Sequence, residues 1–455
     1  MYVLLAGLIL VVLSELRSGS AQYRQVIADL HAAGRPTTLA EYKDLAPPID
    51  ATLQDAWTAW STRFAGSPIQ LDYSETWEWS AWIYGGRPRP PEKTVANLES
   101  FRPLIAEACA LLKRGPPLLS SFAWVARDLP AGKRTIDGND FKAMMQSEPN
   151  LLIVRVVAEW LRRDALIAAA PADDLGALDR LIQGLSSPGT ILDEMIARAA
   201  GDIRNQCYLE LAMVGRLPAA PRVRWLAEPA QEMAHMADAY RGERILIVPF
   251  YVSLHSRFPP ILATGEDRGA WSNLLAWPTR LQDCAFETDL YARLEARLRD
   301  AAAAPLPDRE GIRARLSSIG SFAVNIPLWY HLAIEADAHH RLVRVAVRLL
   351  ALAESGTALP ESDGEAQDLL YGLGLFHPAG DRLPLQYRRL AADRFCVSVD
   401  PAGPFPSFYE PARLKAYPSG ISRTRAGEPL FLHGTYIELL VPPTGGRDRA
   451  VADPP

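Results

Sequence analysis

The sequence predicts a mainly α-helical protein with a long N-terminal membrane-anchor helix. The body is a multi-helix bundle or an irregular solenoid, and a small α+β module with an antiparallel hairpin follows it. Apolar residues recur at helical spacing along most of the chain, and strand patterns stand out only after residue 384. The 455 residues are 49% hydrophobic and 22% charged, which is typical of a globular chain with about two or three domains.

The charge of the chain argues against nucleic-acid binding. The formal net charge is −5. The longest basic clusters, Arg162-Arg163 and Arg388-Arg389, are too short to form the basic face that phosphate backbones require. We therefore expect no nucleic-acid partner.

The N-terminal helix is predicted from the apolar run Tyr2–Leu13, which continues into an amphipathic segment. Gly34 and Pro36 then stop the helix. No helix breaker interrupts residues 14–17, and this continuity favours a membrane anchor and stalk over residues 1–36. The protein is then expected in the cell membrane, with its body extracytoplasmic (periplasmic).

Three explanations of the short apolar run stay open. Its 12 residues would span about 18 Å, whereas a bilayer core needs about 20 residues, and no Lys or Arg precedes it. A true start upstream of Met1 would supply the missing part of an anchor. Cleavage after Ala21, with Gly19 at the −3 position, would make the run a signal peptide and the protein secreted. The run also fits a buried helix of a soluble protein.

The helical body is predicted over residues 37–325. Thr38 and Glu41 have the spacing of a capping box, so a new helix starts directly after Pro36. Ile245–Leu254 is a dense apolar run interrupted by Pro249 and is too short for a bilayer, which favours a buried helix or strand. The other predicted helices run from Asp50 or Thr52 to about Phe64, over Thr94–Lys113, Leu151–Ala170, 173–184, 189–214 and Ala227–Tyr240, and within Leu281–Ala304.

Residues 57–84 are rich in aromatic side chains. The segment contains Trp57, Trp60, Trp77, Trp79 and Trp82. Such rings can stack on sugars in an extracytoplasmic protein, and they can equally fill a helix interface because each ring buries a large area. Trp57 and Trp60 are spaced i, i+3 and share a helical face, and we favour a place in the core.

The sequence predicts no catalytic residue, no cofactor and no metal ligand, because no GxSxG, HExxH, P-loop or GxGxxG motif is present. The closest approach to a metal site is on the last long helix, predicted over Ile326–Ala353. There His331, Glu335 and His339 follow at i, i+4 and i+8, with His340 adjacent. The outer two are about 12 Å apart along one helix, so a polar helix face is favoured.

Four cysteines, Cys109, Cys207, Cys284 and Cys396, are scattered along the chain. One or two disulfides could form outside the cytoplasm, but four buried thiols are favoured. The pair Asp173-Asp174 could supply a general acid and base. Its place at the start of a helix is explained more simply by the helix dipole.

The C-terminal part, residues 326–441, is predicted to be a long helix followed by a small β module. Leu385–Arg389 and Arg394–Val399 form a hairpin, and Leu430–Val441 supplies one or two more strands. Residues 442–455 are rich in Pro, Gly and charge and are predicted to be disordered.

Two segments carry a resemblance to a group of proteins. Ala32–Glu41 and Glu148–Arg155 are similar to the anchor-to-body junction and to a recurring helical stretch of uncharacterised membrane-anchored helical proteins of planctomycete-type bacteria. The resemblance extends loosely over most of the chain. It implies a membrane anchor followed by a long helical body, and it implies no activity.

The C-terminal module resembles the globular part of type II secretion major pseudopilins over about 70 residues. The shared order is a helix at Arg341–Leu352, a turn at Leu359–Ser362, and strands at Pro384–Arg388 and Phe395–Val399. Phe376–Gly380 stands where those proteins carry Asp-Pro-Trp-Gly. Their leader, Gly followed by Phe-Thr-Leu-x-Glu, is absent here, which argues against assembly into a pilus-like fibre.

The favoured function is that of a non-enzymatic, membrane-anchored envelope protein. Its helical body would serve as a scaffold that binds another envelope protein or cell-wall glycan. The alternative is an extracytoplasmic glycan-binding protein or glycan-active enzyme that uses the Trp-rich segment 57–84. A third hypothesis is a pseudopilin-like component of a secretion system.

Overall fold

A computed structural model provides the structure of the chain, and the description that follows is confined to part of it. The described residues are 2–45, 48, 50–67, 79, 82, 92–120, 139–140, 143, 151–185, 189–228, 231–249, 252, 280–300, 326–362, 364–366, 375–376, 382–383, 385–391, 394–399 and 436–440. The predicted tail at 442–455, the rings Trp77, Tyr73 and Tyr84, and the break at residues 85–91 lie outside them.

The protein is mainly helical, as the sequence predicts. The α-helices of the described part are α1 (Tyr2–Ala32), α2 (Leu39–Lys43), α3 (Ala51–Ala65), α4 (Glu92–Arg114), α5 (Leu151–Ile167), α6 (Ala172–Leu185), α7 (Ile191–Met213), α8 (Ala219–Ala227), α9 (Glu232–Gly242), α10 (Arg280–Arg299) and α11 (Ile326–Glu354). A π-helical turn, Glu243–Ile247, continues α9.

The strands pair in antiparallel fashion. β1 (Leu375–Phe376) pairs with β2 (Arg382–Leu383), and β3 (Leu385–Ala391), β4 (Arg394–Val399) and β5 (Tyr436–Leu440) form a second sheet with β4 in the centre. The β3–β4 register places Leu385 opposite Val399. The predicted hairpin is therefore confirmed, and Tyr387 and Phe395 turn their rings into the core against α11.

Local sequence chemistry determines several helix ends. The predicted capping box is confirmed: Thr38 Oγ1 accepts a hydrogen bond from the backbone N–H of Glu41, and the Glu41 carboxylate accepts one from the N–H of Thr38. Asp50 caps α3 through the backbone N–H of Leu53. Gly34, with φ +69°, adopts the left-handed conformation that ends α1 and that other residues adopt only with strain.

The helix predicted over Ala227–Tyr240 is present as α9, which begins later, at Glu232, and ends at Gly242. α8 is a separate helix that ends at Ala227. The backbone of Glu228 is extended (φ −66°, ψ 130°). Pro229 follows it in the sequence, and a residue before proline favours this extended conformation, which ends the helix. The described part of Ile245–Leu254 is helical up to Pro249, which favours the helix over the strand for this run.

The main core lies between α3–α8, α11 and the sheet. Trp57, Trp60 and Trp79 are at most 1% exposed and belong to this core. The rings of Trp57 and Trp60 are 4.8 Å apart, and Trp60 Nε1 donates to the backbone oxygen of Leu104 on α4. These three rings therefore pack inside the protein, as favoured from their spacing, and present no open face.

Buried charges join α5 to α7 within this core. Arg162 is completely buried and binds both carboxylate oxygens of Glu159, at 2.7 and 2.9 Å, and also Glu210 on α7. Arg163 Nε donates to Glu159 at 2.9 Å, and its guanidinium lies 5.2 Å from the centre of the Trp160 ring. Every charge of this group faces an opposite charge, which offsets the cost of removing it from water.

A second core lies between α9, α10 and the first turns of α11, and Tyr23 of α1 packs against it. α1 and α10 approach closely at Gly19, where a Cβ atom would lie 2.9 Å from both the Leu281 Cβ and the Gln282 backbone nitrogen. Arg35 donates to the backbone oxygen of Ala292 at 2.7 Å. The second half of α1 is thus part of the packed body.

The four cysteines, Cys109, Cys207, Cys284 and Cys396, are buried, as favoured from the sequence. Cys109 contacts Asp174, and burial raises the pKa of that carboxyl to about 7. Among the described residues, none of the helices combines the length and the apolar character needed to cross a bilayer.

Replacement of Glu210 by glutamine tests the buried charge group. The variant leaves Arg162 buried with only part of its compensating charge, so Glu210→Gln should lower the free energy of unfolding by about 3–5 kcal/mol in urea titrations. Glu354→Gln is the control, because its partner Arg222 is paired at the surface and about 1 kcal/mol or less should be lost. Equal losses would contradict the stabilising role of the buried group.

Replacement of Gly19 by valine tests the contact between α1 and α10. The added methyl groups must displace α10, and Gly19→Val should cost about 1–3 kcal/mol of unfolding free energy. Ala21→Val, at an exposed position of the same helix, carries the same β-branched penalty without the clash. If both variants lose the same stability, α1 does not pack on α10 in solution.

Candidate functional site

A cavity of about 200 Å³ lies where α7, α9 and α11 converge. Most of its lining residues are polar or charged, and Ile182, Ala197 and Ala336 add apolar surface. α7 contributes Glu194, Arg198, Gly201, Arg204 and Asn205, and further wall residues include Gln183 of α6, Glu232 and His235 of α9, and His340 of α11. A concave site with convergent polar groups is the arrangement expected of a small-molecule site.

The helical repeat explains why these residues share one wall. Glu194, Arg198, Gly201 and Arg204 recur every three or four residues along α7, so they lie on one face of that helix. Glu232 and His235 occupy the first turn of α9, which begins after the break at Glu228. The non-helical backbone of Glu228, between α8 and α9, therefore places this end of α9 at the cavity.

His340 connects two walls of the cavity. Its ring is 2% exposed, Nδ1 hydrogen-bonds the Glu232 carboxylate, and Nε2 accepts a hydrogen bond from Arg344 Nε at 3.1 Å. Burial lowers the pKa of His340, and the positive charge of Arg344 lowers it further. The negative charge of Glu232 raises this pKa but does not outweigh the other two effects. The ring is therefore neutral at pH 7 and carries its proton on Nδ1.

Aromatic rings support this histidine from behind. Trp225 stacks on His340 with ring centres 5.9 Å apart. Tyr208 in turn stacks on Trp225 with ring centres 4.5 Å apart. The Arg344 guanidinium lies 5.5 Å from the centre of the Trp225 ring. Burial lowers the pKa of Arg344 to about 10, which leaves it charged at pH 7. The stack limits rotation of His340 and Arg344.

Arg204 and Asn205 bring unused hydrogen-bonding capacity to the cavity wall. Arg204 is 5% exposed; its Nη1 donates to Glu228 at 3.3 Å and lies 3.9 Å from Asp179. Within the described part of the chain, Arg204 Nε has no acceptor and the side-chain oxygen of Asn205, a residue 3% exposed, has no donor. Buried polar atoms without partners cost free energy, so a ligand that satisfies them gains affinity.

Among the carboxyl groups that line the cavity, Glu194 and Glu232 have pKa values shifted in opposite directions. Burial raises the pKa of Glu194 well above its ordinary 4.5, and the charge of Glu232 raises it further. Burial also opposes ionisation of Glu232, but the interaction with His340 outweighs it and holds the Glu232 pKa well below 4.5. The protonated form is therefore favoured at Glu194 and the carboxylate at Glu232. Such a pair can bind a cation or exchange protons.

The sequence pointed to one member of this site. Of the predicted histidine–glutamate set, His340 lies in the cavity wall and His339 is half-buried on α11, while the side chains of His331 and Glu335 lie outside the described residues. No group of three or more His, Cys, Asp or Glu side chains suited to a metal ion occurs in the described part.

Sequence reasoning missed Glu194, Arg204, Asn205 and Glu232. A stripe of polar residues at helical spacing along α7 was the available signal, since an ordinary core helix keeps such residues on its solvent face.

The pH dependence of stability tests the protonated state of Glu194. The folded protein keeps this proton well above pH 4.5, whereas the unfolded chain loses it near 4.5. Stability is therefore fully present at low pH and falls as pH rises, by up to about 1.4 kcal/mol per pH unit for one group. Glu194→Gln replaces the titrating carboxyl group with an amide that does not titrate. The unfolding free energy of this variant should therefore fall less than that of the wild type between about pH 5 and pH 8.

Urea unfolding at a series of pH values measures the two slopes. The control Glu354→Gln, far from the cavity wall, should keep the wild-type slope. A Glu194→Gln slope equal to that of the wild type would show that Glu194 is ionised in the folded protein.

Comparison with known proteins identifies no relative. No protein-family model, curated protein sequence or solved structure matches this chain. The geometry of the cavity is thus the observation from which function is inferred.

Proposed function

We propose that this protein is a binding protein whose helical body holds a small polar molecule in the cavity between α7, α9 and α11. The observation that carries the proposal is the presence of two buried, unsatisfied polar atoms in the cavity wall, Arg204 Nε and Asn205 Oδ1, among the residues described. Natural proteins leave few buried polar atoms without a partner, and a bound molecule is one way to supply it.

The surroundings of the cavity favour binding over folding stability as the role of these residues. The His340–Trp225–Tyr208 stack and the Arg344–His340–Glu232 chain hold the wall in place through aromatic contact and hydrogen bonds. Preorganised walls of this kind reduce the ordering cost that a ligand must overcome. A non-enzymatic binding role is therefore our proposal for the body.

The envelope location is a second part of the proposal. According to this second part, the body is an irregular bundle attached to a membrane through residues 1–36. The exposed apolar side chains Leu10, Val11 and Leu13 of α1 support attachment to an apolar partner or to lipid. The buried positions of Trp57, Trp60 and Trp79 make them unsuitable as a sugar platform, so glycan binding would have to use other residues.

Filling the cavity tests the binding function. Gly201 lines the cavity and has open space around the position of a Cβ atom, so Gly201→Leu should occupy the cavity without a clash. Thermal unfolding is followed with a panel of amino acids, ω-amino acids, monosaccharides, polyols and dicarboxylates. At about a hundred times its Kd, a ligand stabilises the wild type by about 2.7 kcal/mol, and Gly201→Leu should abolish this effect.

Gly176→Leu is the matched control. Gly176 also lies within a helix, α6, with open space at its Cβ position, and it is not part of the cavity wall. This variant should respond to ligand as the wild type does. The proposal fails if no compound stabilises the wild type, or if the stabilisation survives in Gly201→Leu.

A further inference from the structure

We propose that the ligand is an uncharged polyhydroxy compound, a polyol or a single sugar ring, whose hydroxyl groups bind Arg204 and Asn205. This inference rests on the proposed binding function and specifies the chemistry of the ligand. Two features of the cavity wall carry it. Acidic and basic residues are interspersed along the wall, and its buried polar atoms that lack a partner among the residues described are one donor and one acceptor.

The α7 wall has neither an acidic nor a basic end. Glu194, Arg198, Asp202 and Arg204 follow one another along it, so the sign of the charge alternates. Burial raises the pKa of Glu194, and the positive charge of Arg198, one turn later, partly opposes this rise. A wall of mixed sign does not concentrate ligands of one net charge.

The charges beside the two unpartnered atoms already face opposite charges or hydrogen-bonding groups. Arg204 Nη1 lies 3.3 Å from a carboxylate oxygen of Glu228 and 3.9 Å from one of Asp179. The Glu232 carboxylate hydrogen-bonds His340. A ligand with a net charge would add a buried charge beside groups that are already compensated, which is unfavourable. An uncharged ligand avoids this cost.

The missing hydrogen bonds match a hydroxyl group. Arg204 Nε has an N–H to donate and Asn205 Oδ1 can accept, and neither has a partner within the described residues. The two residues are consecutive on α7, with Cα atoms about 3.8 Å apart, so one small molecule can reach both. A carboxylate only accepts and an ammonium only donates, whereas a hydroxyl does both. One hydroxyl, or two on neighbouring carbons, therefore supplies both partners.

The rest of the cavity suits the remainder of such a molecule. Gln183 and Gln231 carry amides that can donate to and accept from further hydroxyl groups. Ile182, Ala197 and Ala336 offer apolar surface to the C–H groups of the ligand. The volume of about 200 Å³ equals that of about seven water molecules in the liquid, which limits the ligand to a short polyol or one sugar ring.

Calorimetric titration of the full chain with xylitol and D-glucose tests the proposal, together with any other polyol or monosaccharide that stabilises the protein in thermal unfolding. We expect at least one of these compounds to bind the wild type and Gly176→Leu, and not Gly201→Leu. Tighter binding of the open chain or of the ring shows whether a polyol or a sugar supplies the hydroxyl groups.

Charged analogues of the same compounds are the control ligands. They are xylonate for xylitol, and glucuronate and glucosamine for glucose, at about pH 6.5, where the amino group is protonated. Each should bind at least about tenfold more weakly than its neutral parent, because it adds a buried charge to the wall.

Replacement of Asn205 by alanine tests the hydroxyl contact. Asn205→Ala removes the acceptor and enlarges the cavity, so steric exclusion cannot explain a loss of affinity. The neutral ligand should bind at least about tenfold more weakly. Gln206→Ala is the matched control, since Gln206 is the next amide on α7, hydrogen-bonds Glu210 and is not part of the cavity wall. It should lower stability and keep the wild-type affinity.

Three results would overturn the polyhydroxy ligand. A charged analogue could bind as tightly as its neutral parent, or Asn205→Ala could keep the wild-type affinity. Amino acids or dicarboxylates could bind the wild type, and not Gly201→Leu, while no polyol or sugar binds. In these cases the binding function stands and only the ligand class is wrong. If no compound binds, or if binding survives in Gly201→Leu, both proposals fail.

Discussion

The burial of Arg162 is the constraint on which the rest of the structure depends. A guanidinium without access to water is tolerated only when carboxylates surround it, and Glu159 and Glu210 do so from α5 and α7. Because the bonds are directional, they fix the rotation of α7 about its axis and its position along that axis relative to α5. The opposite face of α7 is the wall of the cavity, so the same contacts determine which of its side chains reach the ligand.

Buried charges are compensated to different extents in the main core and in the cavity. Around Arg162, in the main core, each guanidinium group faces a carboxylate. In the cavity the pairing is incomplete: burial raises the pKa of Glu194, and Arg204 Nε lacks an acceptor within the described part of the chain. Incomplete pairing lowers stability. Proteins retain it most often where a bound molecule supplies the missing partner.

Much of the helical architecture could be predicted because local interactions decide it. The Thr38–Glu41 box, the Asp50 cap and the apolar spacing of α5 each act within a few residues, and the structure has helices where they predict them. The break at Glu228 also has a local signal, because Pro229 follows it in the sequence and disfavours helical backbone at the preceding residue. There the backbone oxygen of Glu228 accepts a hydrogen bond from Arg344, which comes from a helix more than a hundred residues later.

The sequence by itself determined a mainly helical chain and a C-terminal hairpin, because periodicity and local hydrogen bonding act over short distances. Only the tertiary structure decided which polar residues meet. His340 was singled out for a spacing on its own helix, but its partners are Glu232 and Trp225 on two other helices. Ionisation states and unsatisfied atoms arise from burial by distant segments, which no local pattern records.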